Sequence, residues 1–327
     1  MTTAAATAVP ISLTRPSIDE REAARMAEAL RGRTAGNGPF GRRVEARLSR
    51  LLGGRPVLLT TSCTHALELA LLALGVGPGQ DVVVPSFTFV STANAVLRCG
   101  ARPVFADIAE DTLGLDPADV RRRLTSVTTA MIPVHYAGVA CDMDGLLALA
   151  AERGLKVVED AAHGLAASFR ERPLGTLGHA GCFSFHETKN VTCGEGGAVV
   201  FRRLEDAAQA EIVREKGTNR SAFLRGEVDR YTWVAEGSSY VLADLLAAML
   251  DAQLDKLDAI QARRAAVAAR YRAELADWAR AQGARLTPVL PHRRSSDHLF
   301  YVLLADEKDR DRLLDALRRR GVLATFH

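Results

Sequence analysis

Two short stretches carry residue types capable of covalent chemistry. Lys156-Val157-Val158 runs into Glu159-Asp160, and Cys182-Phe183-Ser184-Phe185 runs into His186-Glu187-Thr188-Lys189-Asn190. A strand ending in acid, followed about one hairpin later by a strand ending in lysine, suits a pyridoxal phosphate (PLP) site. The lysine would hold the cofactor's aldehyde as a Schiff base. The acid would keep the ring nitrogen protonated, so that the ring can accept electrons. Lys189 also precedes the weakly charged run Val191-Thr192-Cys193-Gly194. Half-burial there would lower its pKa and favour the neutral amine that imine chemistry requires. The bland readings are a solvated lysine and a helix-capping aspartate, the commoner fates of these residues taken singly.

A cofactor phosphate needs donors. Thr61-Ser62-Cys63-Thr64-His65-Ala66 joins a strand to a helix, where free backbone N–H groups and the positive helix end point outward together. An ordinary Ser/Thr cap fits the same residues about equally well. Ala161 and Ala162 leave room for a flat ring beside Asp160, and His163 could reach the ring's phenolic oxygen or be a packed polar residue. Phe87 and Phe89 follow another strand; either could stack on the ring, although core packing is the usual fate of such aromatics. Ser184 is a phosphate candidate or a strand-end hydroxyl. Gly194, Gly196 and Gly197 permit tight turns after the lysine, with Glu195 a loop charge between them. His135 and Tyr136 end a further strand and either face substrate or close the sheet.

For these residues to meet, the strands must share one edge. Strands are expected at 57–61, 81–84, 103–107, 130–134 and 156–159, separated by helices at about 65–74, 91–98, 117–124 and 143–153. Several strands are continuous apolar runs, as in a parallel sheet covered on both faces. The carboxyl edge of such a sheet is where ligands bind. Upstream, Ser17-Ile18-Asp19-Glu20 reads as a capping box opening a helix to about Leu30, and a second helix covers about 42–52. Downstream come a turn-linked pair at 169–175, short strands at 182–185 and 197–201, and a helical region from Asp244 to about Gln282. A strand at 298–304, a helix at 310–319 and a strand at 323–326 complete the pattern. A boundary near 245 gives a large domain (1–245) and a small α/β domain (246–327).

Composition narrows the partners. The 327 residues are 48% hydrophobic and 25% charged with a net charge of +3. That argues against nucleic acid or an anionic membrane as the main partner, and no helix-turn-helix module is visible. Five cysteines without a CxxC pair argue against a disulfide framework or a zinc site and fit a reducing cytoplasm. Met1–Pro10 lacks a basic n-region and a long apolar core, so residues 1–11 are expected to be unordered. No stretch approaches the roughly 20 apolar residues of a membrane span.

Taken together, these residues resemble the nucleotide-sugar aminotransferases of the DegT/StrS family, PLP enzymes of the aspartate-aminotransferase fold (fold type I). The likeness runs from about Ser12 to the last residue. It is anchored by Pro85-Ser86-Phe87-Thr88-Phe89-Val90-Ser91-Thr92, Pro133-Val134-His135-Tyr136-Ala137-Gly138, Glu159-Asp160-Ala161-Ala162-His163-Gly164 and Ser184 to Asn190. Within the family the chain looks closest to the WecE type, through His186-Glu187-Thr188-Lys189-Asn190 and Arg214-Glu215-Lys216-Gly217-Thr218-Asn219-Arg220. Tyr231-Thr232-Trp233 and Gly237-Ser238-Ser239-Tyr240 support that likeness.

The resemblance implies an α/β fold with a mostly parallel large-domain sheet. It implies Lys189 as the Schiff-base lysine, Asp160 as partner of the ring nitrogen, His163 beside the ring oxygen and Phe89 stacked on the ring. Thr64, His65 and Ser184 match phosphate contacts, the first two largely through backbone N–H groups. Ser239 stands where many relatives carry an Asn that reaches across a homodimer to the partner's phosphate. L-glutamate is implied as amino donor and a dTDP-4-keto-6-deoxyhexose as acceptor, with C3 amination of a 3-keto sugar the nearest alternative. Dehydratases on this fold replace the lysine with histidine, which Lys189 speaks against. A non-catalytic PLP-binding or regulatory protein is the reading from another class. Relatives continue past the position of His327 with a Pro-Leu-His stretch and a closing helix, so the small domain is expected to be incomplete relative to the family.

Overall fold

Nine strands and the helices between them build the site-bearing half of this computed structural model, which describes residues 10–327. The strands are β1 (Val57–Thr60), β2 (Asp81–Pro85), β3 (Arg102–Ala106), β4 (Thr128–Met131), β5 (Lys156–Asp160), β6 (Ser168–Phe169), β7 (Arg172–Pro173), β8 (Ala180–Ser184) and β9 (Gly197–Phe201). Seven of them form one sheet in the order β1-β9-β8-β5-β4-β2-β3. Only β9 runs against its neighbours. The fold is therefore the α/β arrangement with a mostly parallel sheet that the apolar runs imply.

Both faces are covered, by α1 (Glu20–Arg31), α2 (Pro39–Leu51), α3 (Cys63–Ala73), α4 (Ser91–Arg98), α5 (Pro117–Arg123), α6 (Met143–Arg153), α7 (Leu204–Arg214) and α9 (Asp244–Asp255), while the short α8 (Arg220–Leu224) buries no residue. Side chains alternate along each strand. Leu58, Val199 and Phe201 enter a core with Leu67, Leu71 and Ala210 of α3 and α7. Val57, Leu59 and Val200 enter another with Val44, Leu48 and Leu250 of α2 and α9. Val83, Met131 and Val157 meet Val120 and Leu146 of α5 and α6. Each fully buried Leu or Phe contributes about 1.5–3 kcal/mol relative to exposure, so the strand ends that carry the site are held by packing.

Asp244 shows how closely α9 is tied to this half. The N-cap of α2 is Gly38, which has no side chain to offer. Asp244, buried, supplies the cap instead: its carboxylate accepts the N–H groups of Gly41 (2.6 Å) and Phe40 (3.3 Å). A Cβ on Gly38 would stand 2.3 Å from that carboxylate, so glycine is required. Ala247, Ala248, Leu250 and Leu254 continue the same core past residue 245 to Leu257.

Beyond it, α10 (Leu257–Gln282) leads to β10 (Arg285–Leu286), β11 (Arg293–Arg294), β12 (Val302–Leu303) and α11 (Glu307–Arg319). β10 pairs with β12 over two residues, and β11 joins β6. The strand expected at 298–304 is therefore confined to Val302–Leu303, and 323–326 forms no strand.

Other expectations shift locally. The capping box is Asp19 with Glu22, not Ser17 with Glu20: Asp19 accepts from Arg21 N, and Glu22 accepts from Asp19 N at 2.8 Å. The Ser17 carbonyl is engaged elsewhere, by Gln253 and Lys256. Ile11 is not loose, since its N–H donates to Gly321 O at 2.8 Å and its carbonyl accepts from Leu323 N at 2.9 Å. The rest of the expected unordered terminus, residues 1–9, lies outside the described residues. Among the described residues no helix is long and apolar enough to cross a membrane.

Candidate active site

Asp160 closes β5 at the carboxyl edge of the sheet. Its backbone is fixed on both sides: Asp160 N donates to Pro133 O at 2.8 Å, its carbonyl accepts from His135 N at 3.1 Å, and Ala161 N donates to Cys182 O at 2.9 Å. The side chain is buried. Oδ1 accepts from Ala162 N at 3.1 Å and Oδ2 from the Thr92 hydroxyl at 2.8 Å. Burial pushes its pKa up, against the pull of those two hydrogen bonds and of Lys189.

Glu159, the other acid of the pair, has a different task. It is fully buried and points to the opposite face of the sheet from Asp160, as alternation along a strand demands. Its carboxylate accepts from Gly175 N (2.8 Å), Leu177 N (2.6 Å) and Gly178 N (2.7 Å), and contacts His135 Nε2 at 2.9 Å. His135 Nδ1 accepts from Cys141 N at 3.3 Å, so Nε2 carries the hydrogen given to Glu159. His135 thus serves the sheet and does not face the pocket.

Lys189 lies in the turn after β8, half-buried, and its amine and the Asp160 carboxyl are close enough to act on each other electrostatically. Burial pulls its pKa below the ordinary lysine value of 10.5, opposed by Cys63 and Asp160. The neighbouring Asn190 pins the loop. Its amide NH2 donates to Gln261 Oε1 of α10 (2.8 Å) and Ser296 O (2.9 Å). Its Oδ1 therefore faces His298 Nδ1, at 2.8 Å.

His163 is placed beside this loop. Ala137, at the strained backbone φ of 56°, sends its N–H to His163 Nδ1 at 3.2 Å. Nδ1 is thereby an acceptor and Nε2 carries the hydrogen. Burial holds the imidazole well below its ordinary pKa, so it is neutral. Its ring packs at a tilt of 33° against that of His298, centroids 4.2 Å apart, and burial also keeps His298 neutral.

The phosphate candidates meet at the start of α3, which begins at Cys63 rather than His65. Ser62 is its N-cap, and Ser62 Oγ accepts from His65 N at 3.1 Å. The His65 N–H is therefore occupied by the cap. The N–H groups of Cys63 and Thr64, in the first turn, have no intrahelical acceptor. Thr64 Oγ1 donates to Ser91 Oγ at 2.8 Å, tying this turn to the start of α4. Close approach of β9 requires Gly197, where a Cβ would stand 2.3 Å from the Ser62 carbonyl carbon. Ser184 sits opposite Gly197 at the end of β8 and accepts from His186 N at 3.4 Å.

The remaining candidates lie on the outside. Phe89 is 68% exposed, while Phe87 packs on Tyr136 at 4.8 Å. Ser239 is exposed and pairs with Glu215 through an isolated bridge. Ser62 takes the cap role that the sequence left open, whereas Thr88, Thr92 and Asn190 make contacts that sequence reasoning did not assign; the four-residue spacing of Thr88 and Thr92 was the one available signal. A cleft of about 690 Å³ lies elsewhere, lined by Leu165, Pro173, Leu257, Arg272, Val289 and Arg293, and includes neither Lys189 nor Asp160. Among the described residues no cluster of His, Cys, Asp and Glu is arranged to hold a metal.

The donor set fits PLP. A buried carboxyl suits a ring N–H, a desolvated amine suits an aldehyde, and a helix start with free N–H groups suits a phosphate. On the carboxyl edge of a mostly parallel sheet, this combination defines a PLP enzyme of fold type I. The chain belongs to the DegT/DnrJ/EryC1/StrS aminotransferase family, which matches residues 16–327. It is accordingly a PLP-dependent aminotransferase.

Solved relatives agree. The aminotransferase TlmJ from Streptoalloteichus hindustanus is 33% identical, with a TM-score of 0.89 over 97% of this chain and 85% of that one. DesV from S. venezuelae, solved with a ketimine intermediate, is 35% identical, with a TM-score of 0.84 over 93% of this chain and 78% of that one. DesI, solved in the presence of its TDP-sugar product, is 34% identical, with a TM-score of 0.87 over 98% and 80%.

Proposed function

We propose that this chain aminates C4 of a dTDP-4-keto-6-deoxyhexose, using L-glutamate as donor. The carrying observation is that the Lys189 amine lies within electrostatic reach of both the Asp160 carboxyl and a neutral, Nε2-protonated His163. The WecE-type motifs at His186–Asn190 and Arg214–Arg220 support the C4 assignment, and the TDP-sugar product of DesI supports the nucleotide.

When bound, the cofactor supplies an electron sink for the carbanion formed at the donor's α-carbon. The chain's residues do the rest. Lys189, whose amine pKa burial lowers, would hold the cofactor's aldehyde through Nζ and, when free, would take up and return the donor's α-proton as base and then acid. Asp160 would hold the proton on the ring nitrogen, and His163 Nε2–H would be the donor for the ring's phenolic oxygen, the role its tautomer leaves open. The N–H groups of Cys63 and Thr64, with Ser184, bind the phosphate; His65 contributes through its ring or through the Ser62 cap. Phe89 and Ser239 complete the site from the rim, Ser239 by reaching a second copy's phosphate in a homodimer. The cytoplasm is the expected compartment.

The test is product NMR after incubating the protein with PLP, glutamate and matched 4-keto and 3-keto dTDP sugars. The 4-amino sugar is expected. Exclusive formation of the 3-amino sugar would move the assignment to C3. Cofactor binding without any aminosugar would remove catalysis.

A further inference from the structure

Thr92 is fully buried in the first turn of α4. A threonine inside a helix commonly returns its hydroxyl to the carbonyl one turn back. Here the hydroxyl crosses to a residue 68 positions away, donating to Asp160 Oδ2 at 2.8 Å. A hydroxyl has one hydrogen, so the 2.8 Å contact between Thr92 Oγ1 and Thr88 Oγ1 must use the hydrogen of Thr88. The chain of donation is therefore directional, from Thr88 to Thr92 to Asp160.

We propose that Thr92 is a positioning residue for Asp160, with Thr88 as its relay, and that α4 thereby orients the carboxylate that meets the cofactor ring. This rests on the reading of Asp160 as partner of the ring nitrogen. With Ala162 N on Oδ1 and Thr92 on Oδ2, each oxygen has one donor and keeps a lone pair. The carboxyl plane is fixed, and both donors favour the anion that burial alone would disfavour. Ser91, the adjacent residue, accepts from Thr64 at 2.8 Å. The first turn of α4 thus touches the ring-nitrogen end and the phosphate end together.

The experiment titrates PLP into the full-length apo-protein by absorbance and fluorescence, and follows the bound cofactor's visible band with pH. Thr92→Val keeps the shape and removes the donor; Thr92→Ser keeps the donor. Thr92→Val is expected to weaken PLP binding about tenfold and to shift the pH dependence of the band, as loss of a hydrogen bond to a charged group would. Thr92→Ser should stay within about threefold, and Thr88→Val should lose roughly threefold. In an Asp160→Asn background, Thr92→Val should add less than about twofold.

Wild-type binding and an unmoved band in Thr92→Val would overturn the proposal while Asp160→Asn still weakens binding. An equal loss from Thr92→Val in both backgrounds would do the same, by showing packing rather than positioning. If Asp160→Asn itself leaves binding and band unchanged, the reading of Asp160 falls first.

Discussion

On the floor of the site, Asp160 and Thr92 are sealed from solvent, and both carboxylate oxygens have donors within this chain. On the rim, Phe89 is 68% exposed, Trp233 is 76% exposed, and Tyr231, Val234 and Ser239 are exposed beside it in sequence. The two regions carry residues of equal promise in the sequence, yet only the floor is completed by the chain's own packing. Strand ends flanked by buried apolar residues arrive at fixed positions. The segment from Arg220 to Ser239 contributes almost no buried side chains. Large apolar side chains left exposed within one segment are candidates for a contact surface, in keeping with the homodimer proposed above.

The largest expected effect tests the floor directly. Lys189→Ala should lower turnover by roughly 10³-fold or more, as loss of a combined nucleophile and acid–base group does. The visible absorbance of the bound cofactor should vanish while the circular dichroism is retained; a persisting band would assign the cofactor to another lysine. Next comes Glu159→Gln, which places an amide among three backbone donors. A loss of about 3 kcal/mol is expected, read by urea denaturation, because a buried acceptor is replaced where only donors face it. Stability within 0.5 kcal/mol of wild type would show the Glu159 cage to be dispensable.

Trp233→Ala probes the rim and should leave urea stability of the isolated subunit nearly unchanged. Self-association by sedimentation should weaken about tenfold or more, as expected for an aromatic anchor. Unchanged association would place the interface elsewhere.

The smallest effect concerns pH. Burial lowers the Lys189 pKa, so the neutral amine persists below the pH at which a free lysine loses its proton. Borohydride trapping of PLP on Lys189 should accordingly reach half-maximum below pH 10.5, the ordinary lysine value. A midpoint at or above it would contradict the desolvated pocket.

Much of the floor was legible because local pattern and tertiary fate coincide there. The strand Gly197–Phe201 and the helices Ser91–Arg98 and Met143–Arg153 stand where apolar periodicity and flanking turn residues put them. Asp160 and Lys189 were legible as polar residues ending apolar strands. The Asp19 cap and the Asp244 cap were not, since each depends on which side chain the backbone geometry admits. Thr92 looked like any helical threonine, because its partner is distant in the chain. The expected strands near 298–304 and 323–326 shortened or failed because a strand exists only where a neighbour offers matching backbone groups.

What the sequence by itself determined is the order of apolar runs, and with it a parallel α/β sheet that delivers an acid and a lysine to one edge. Period-2 alternation also decided that adjacent Glu159 and Asp160 must point to opposite sides. Only the tertiary structure decided which neighbours complete each one. Glu159 found three backbone N–H groups and His135, while Asp160 found Thr92 and the electrostatic reach of Lys189. The reason is physical: hydrogen bonds and desolvation depend on distances through space, and those are set by packing among segments that the chain order leaves far apart.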